Sequence, residues 1–185
     1  IDHPLDLYRH LPFRLATLVN LLALDRDAAI REVSTLGLRE LRVLLNVGSY
    51  MPIRVSDIAY QTRLDAYTVS RAATTLRARG LIELRAEPSD RRVQLARLTP
   101  AGVRQYRRIA KLVEARGREI SSVLTSSEIK SLCEMLTRLE EKAESVLATQ
   151  AVGLLKQGRR LSADQRELIR WRKRATPPGH GLPYD

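Results

Sequence analysis

The sequence predicts a mainly α-helical protein with one small β-hairpin set between its helices. Three observations predict it. Apolar residues recur at three- and four-residue spacing along most of the chain, as a helix with one buried face requires. Helix-opening residues stand ahead of these stripes at Asp65, Thr99, Thr125 and Ser162. From Leu81 to Leu98 the helical period gives way to two extended segments around the turn residues Glu87, Pro88, Ser89 and Asp90.

Taken in order, the first stripe runs from Pro12 to about Val33 through Leu15, Leu18, Val19, Leu22 and Ala29, with Pro12 suited to a first helical turn. Residues before Pro12 are expected to form a separate turn, and Gly37 a stop. Leu38 to Val47 reads as a second helix ending before Gly48. Val55 to Thr62 forms a short helix with Ile58 and Ala59 inward. After a tight turn, Asp65 caps a helix that runs to about Arg79 and ends at Gly80. On a helical wheel Val69, Ala72, Ala73 and Leu76 share one face, while Tyr67, Arg71 and Thr74 lie opposite with Ser70 beside them. Two short helices joined this way, followed by a hairpin, make a helix-turn-helix with a wing.

Thr99 and Pro100 then open a long helix with Val103, Ile109, Leu112, Val113, Ile120 and Val123 as its apolar set. Thr125 and Glu128 form a capping box for the next, with Leu124 and Ile129 at staple positions. Its stripe of Ile129, Leu132, Cys133, Leu136, Leu139, Ala143, Val146 and Leu147 is long for one small lobe. A dimer interface built from N- and C-terminal helices is the expected outlet. Ser162 and Gln165 cap a last helix carrying Leu168, Ile169 and Trp171, and Pro177 to Pro183 reads as a flexible end. The predicted organisation is 1–52 as supporting and dimerising helices, 53–99 as the winged lobe, 100–150 as dimerisation helices and 151–185 as a basic extension.

The chain's 32 Lys+Arg against 21 Asp+Glu leave a formal charge of +11, which favours a polyanionic partner. The excess is local: residues 1–52 are balanced, residues 53–98 hold 9 basic and 5 acidic groups, and residues 151–185 hold 8 and 3. A single cysteine and 3 histidines supply neither a disulfide nor a structural zinc set, and no Gly-rich phosphate loop or catalytic constellation occurs. No cofactor, no metal and no enzymatic activity are therefore expected. Cys133 reads as a small core hydrophobe on its stripe. No stretch approaches the ~18 uninterrupted apolar residues of a membrane span, so no membrane partner is expected.

The run from Val55 to Leu84, followed by DRRVQLARLTPAG from Asp90 to Gly102, resembles the MarR family of bacterial winged-helix transcription regulators. Asp90, Arg92, Leu98, Thr99 and Gly102 fall at the family's wing spacing, and the likeness covers roughly residues 10–150. The first turn of the second helix departs from the family in Asp65 and Tyr67. The resemblance implies a homodimer on double-stranded, pseudo-palindromic DNA, a ligand-responsive repressor, and a small aromatic or phenolic effector. It also implies a cytoplasmic, nucleoid-associated setting. The DNA-contacting set it implies is Tyr67, Thr68, Ser70, Arg71 and Thr74 on the helix, with Asp90, Arg91 and Arg92 in the wing. Arg71 would read guanine as a bidentate donor, and Arg92, steadied by Asp90, would enter a narrow minor groove. The other reading of the same surface is a winged-helix module that binds protein, without sequence-specific DNA binding. For the extension, Arg159, Arg160, Arg166, Arg170, Arg172, Lys173 and Arg174 suit either phosphate contact or a solvated face. Leu168, Ile169 and Trp171 alternatively suit docking onto the dimer helices.

Overall fold

The computed structural model describes residues 3–24 and 28–172 of the 185. The expected flexible end from Pro177 to Pro183 lies outside the described residues. Contacts divide the chain into two units, Ile1–Leu36 and Gly37–Asp185.

In the first unit the expected helix is described over α1 (Leu11–Leu24) and α2 (Ala28–Val33), either side of residues 25–27, which lie outside the described residues. Ahead of α1, the Asp6 carboxylate accepts from the backbone of Tyr8 and Arg9, making the separate turn the proline required. Leu11, Phe13, Leu18, Val19 and Leu21 are exposed on α1.

The second unit begins with α3 (Leu38–Tyr50), for which Gly37 is the N-cap rather than a stop to the preceding helix. α3 also runs through Gly48 instead of ending before it. There the ring of Tyr106 lies where a side chain would stand, so the glycine serves close packing and not termination. A two-residue strand β1 (Ile53–Arg54) follows, then α4 (Val55–Thr62) and α5 (Ala66–Ala78). The wing is β2 (Ile82–Glu87) and β3 (Asp90–Leu98). The sheet has three antiparallel strands in the order β1-β3-β2, one more than the expected hairpin.

The core fastens the winged lobe from within. Leu44 and Val47 of α3, Ile58 of α4, Val69 and Leu76 of α5, Ile82 and Ala96 of the sheet and Ile109 of α6 (Pro100–Ser121) are all buried. Each large aliphatic side chain there contributes about 1.5–3 kcal/mol of transfer free energy. With 4% aromatic residues, Leu, Ile, Val and Ala carry this core.

The apolar set expected on α6 and α7 (Ser126–Lys156) is largely exposed in the single chain. Of the α6 set Ile109 is fully buried, while Val113 and Ile120 are exposed and Val123 lies past the helix end. Leu132, Met135, Leu139, Val146 and Leu147 are exposed along α7, and Cys133 is half-buried. Both expected capping boxes are present, Thr125 with Glu128 and Ser162 with Gln165. α7 continues past the expected boundary at 150 to Lys156. Gly158, at φ 73°, then turns the chain so that α8 (Ala163–Arg172) packs back against α7.

Candidate nucleic-acid interface

The helix-turn-helix opens on a cap. Asp65 Oδ1 accepts from the backbone N–H of Thr68 at 2.8 Å, and Oδ2 accepts from the Thr68 hydroxyl at 2.5 Å. The Thr68 hydroxyl and backbone N–H bonds hold the Asp65 carboxyl below the usual carboxylate range. Thr68, expected to contact DNA, thus commits its hydroxyl proton to the cap and keeps only acceptor capacity. Asp65, a departure from the family pattern, is what starts the helix.

On the outer face of α5, Tyr67 is 70% exposed, and Arg71 lies over it with the guanidinium carbon 5.7 Å from the ring centroid. Arg71 Nη1 donates to the Tyr67 hydroxyl at 3.4 Å. The ring gives the arginine a resting place by cation–π attraction, so fewer conformers must be given up when it engages a partner. Ser70 is exposed. Thr74 donates its hydroxyl to the Ser70 carbonyl, leaving oxygen lone pairs outward.

At the wing, Ala86 pairs with Gln94 but Glu87 pairs with Asp90, so Arg91, Arg92 and Val93 are extra residues on β3. A bulge of this kind re-aims side chains at the end of a ribbon. Asp90 holds Arg92 as a fork: Oδ1 accepts from the Arg92 backbone N–H at 3.0 Å and from Nε at 3.1 Å, and Oδ2 from Nη2 at 3.2 Å. These bonds, the side-chain one first, lower the pKa of Asp90. The Arg92 side chain remains 92% exposed. Arg91 is exposed beside it. The turn end of the wing is tied to β1, where Arg54 Nη2 donates to Glu87 Oε1 at 2.7 Å.

Between α5 and the wing lies a groove of about 290 Å³ lined by Ser56, Ser70, Thr74, Arg92 and Gln94 over Val55, Ala73, Leu84 and Val93. The fold therefore brings three expected residues together: Ser70 and Thr74, from one helix, face Arg92 on the wing. Ser56 and Gln94 were not foreseen. Gln94 lies two residues from Arg92 on the same strand, the signal that placed it within reach; Ser56 follows from the packing of α4 against the sheet, which no local pattern announces.

Thr99 explains the remaining motif residues. Its hydroxyl donates to the Gly80 carbonyl at 2.6 Å and accepts from the Gly102 N–H at 3.0 Å, while its own N–H donates to the Leu81 carbonyl at 3.1 Å. A methyl at Gly102 would run into the Leu81 carbonyl oxygen, and Gly80 takes φ +66°. The Leu-Thr and Gly of the motif thus join the end of α5, the base of the wing and the start of α6.

Short paired helices with a capped, polar-faced second member and a bulged basic hairpin define a winged helix-turn-helix fold. Residues 34–93 match the model of the MarR family. Among solved structures, a MarR/EmrR family transcriptional regulator from Acinetobacter sp. ADP1 aligns with a TM-score of 0.68 and 23% identity, over 76% of this chain and 99% of that one. FabT of Streptococcus pneumoniae, solved in complex with DNA, aligns at 0.60 and 20% over 75% and 99%. BpsR of Bordetella bronchiseptica, whose DNA binding is regulated by 6-hydroxynicotinic acid, aligns at 0.64 and 21% over 75% and 98%. No curated relative matches in sequence. The MarR family match thus covers the stretch from the end of the first unit into the wing, and the solved structures share the fold over about three quarters of this chain. Among the described residues no helix is long and apolar enough to cross a membrane.

Proposed function

We propose that this protein binds a pseudo-palindromic operator as a homodimer and represses transcription until a small aromatic acid or phenol releases it. The observation that carries this reading is the groove in which the outer face of α5 and the Asp90-held Arg92 meet. Helix α5 would enter the major groove, with Arg71 donating to guanine and Tyr67, Ser70 and Thr74 at neighbouring edges or phosphates. Thr68 would stay in the cap and accept only. Arg92, with Arg91 beside it, would occupy the flanking minor groove, and Asp90 would keep its guanidinium aimed.

Dimerisation is supported by the exposed apolar stripes of α1, α6 and α7, which water would otherwise hydrate. Sedimentation is expected to give twice the 20.9 kDa chain mass. The FabT and BpsR structures support duplex DNA as the target and a small aromatic acid as the effector class.

Selection from a random duplex pool is expected to enrich a palindrome, with half-sites about one helical turn apart. Affinity for that site should fall steeply with salt. Recovery of no sequence, with no salt-dependent duplex binding, would overturn the proposal in favour of a protein-binding winged helix.

A further inference from the structure

The C-terminal extension holds the helix-turn-helix from outside. α8 lies against the end of α7, where Ala148 and Ala151 are buried. At its last turn Trp171 meets Tyr60 of α4 edge to face, ring centroids 6.1 Å apart and planes at 89°. The Arg63 guanidinium carbon stands 4.1 Å from the Tyr60 centroid and 5.3 Å from that of Trp171. Its Nη1 is 2.9 Å from Oε2 of Glu144 on α7, a side chain only 14% exposed. One turn away, Arg172 Nη1 donates to the Thr149 hydroxyl at 2.7 Å.

Arg63 is also the residue that ends α4, at φ 53° and ψ 30°. That left-handed position suits glycine or asparagine better than arginine. Here the side chain at this position is the one clasped by two rings and a carboxylate drawn from α4, α7 and α8. Two of the extension's own arginines also bond outside their helix: Arg166 donates to the Leu161 carbonyl and Arg172 to the Thr149 hydroxyl of α7, while the exposed Arg170 pairs with Glu167 within α8. Of the two roles open from sequence, docking fits these bonds, and its target includes α4 as well as α7.

We propose that α8 is a brace that fixes the helix-turn-helix to the C-terminal arm of its own chain, with Arg63 and Trp171 as positioning residues for operator spacing. The inference rests on the dimeric DNA-binding reading above. Helix α7 carries an exposed apolar stripe offered to a second copy, and Glu144 sits within that helix. A clasp between α7 and the turn ahead of α5 therefore sets how far the recognition helix can rock relative to the dimer seam. A stiff lobe admits one half-site separation; a loose one accepts several and binds the matched one less well, because ordering the lobe is then charged to binding.

Trp171 is the one tryptophan of the chain, so its emission reports the clasp without DNA. In the wild type it should resist acrylamide quenching relative to Trp171 in Arg63→Ala and Glu144→Gln. Emission in the wild type as quenchable as free tryptophan would overturn the brace. On operators whose half-sites are moved one or two base pairs in or out, Trp171→Ala should lower the matched-to-mismatched affinity ratio about fivefold to tenfold, the loss of one good ring–cation clasp. Single half-site preference should not move, and Trp171→Phe, which keeps a ring edge, should restore most of the ratio. An unchanged ratio in folded Trp171→Ala would also overturn the proposal. Should Trp171→Ala fail to fold, Glu144→Gln carries the same spacing test. If the wild type binds no duplex at all, the functional reading fails and takes the positioning role with it, while the quenching result still decides whether the clasp forms.

Discussion

Helix α5 and the wing border the same groove, yet they are secured in opposite ways. α5 is fastened by its inner face, where Val69, Ala72, Ala73 and Leu76 are at most 2% exposed. The wing tip has no buried face of this kind; it is held by ion pairs, Arg54 with Glu87 and the largely exposed Arg92 with Asp90. Packing is insensitive to salt, whereas exposed charge pairs are screened by it and contribute little to stability. The helix thus owes its place to the core, and the wing owes its aim to electrostatics. Substitutions at one should cost folding, at the other only binding.

The largest effect that sharpens this contrast is expected from Leu76→Ala. A fully buried leucine in a close-packed core loses about 2–5 kcal/mol on truncation, visible as a large drop in melting temperature. A loss below the range of surface substitutions, about 0.5 kcal/mol, would mean that α5 is not held from within.

Next in size is Arg71→Ala, on the outer face of the same helix. Operator affinity should fall by about 1–3 kcal/mol with relaxed base preference at one position per half-site. Melting should be unmoved. A wild-type ratio of operator to scrambled binding would remove Arg71 from the reading set.

For the wing, Arg92→Ala should flatten the slope of log affinity against log salt by about 0.9 if one phosphate contact is lost and erase preference for A·T-rich flanks, while central half-site preference stays. Equal affinity for A·T-rich and G·C-rich flanks in the wild type would break the assignment.

The smallest effect is in acid. Asp65 and Asp90 have folded pKa values below their unfolded ones, which lie near ~3.9. What they add to stability is present above the unfolded value and is lost as pH falls through the folded one. Neither should alter melting between pH 5 and 8. Asp65→Asn keeps a good N-cap and should make the acid limb shallower, and Asp90→Asn less so, because the wing is loosely coupled to the core. A larger change from Asp90 than from Asp65 would reverse the comparison.

What was legible in the sequence was local. Caps at Asp65, Thr99, Thr125 and Ser162 depend on residues three positions apart, and all four form. The Asp90–Arg92 pair spans two residues and was equally readable. The buried face of α5 followed from periodicity because its four apolar residues sit on one stripe. Strand β1 escaped notice because two residues have no period, and only pairing with Ala96 and Leu95 makes it a strand. The continuation of α3 through Gly48 depended on Tyr106, distant in sequence. So did the clasp: nothing near Trp171 announces Tyr60, and a basic helix reads as a solvated face until its partners are seen.

The junction at Thr99 has a mechanical consequence. One hydroxyl, bonded both to the end of α5 and to the start of α6, leaves no free pivot at Gly80. Moving α5 without α6 would require these bonds to break, at about 1 kcal/mol each. A displacement of α6 is thus passed directly to α5 and the wing. In engineering language the protein has a rigid tool-holder rather than a wrist. Residues on the outer face could be exchanged to change which operator is read while the holder stays as it is.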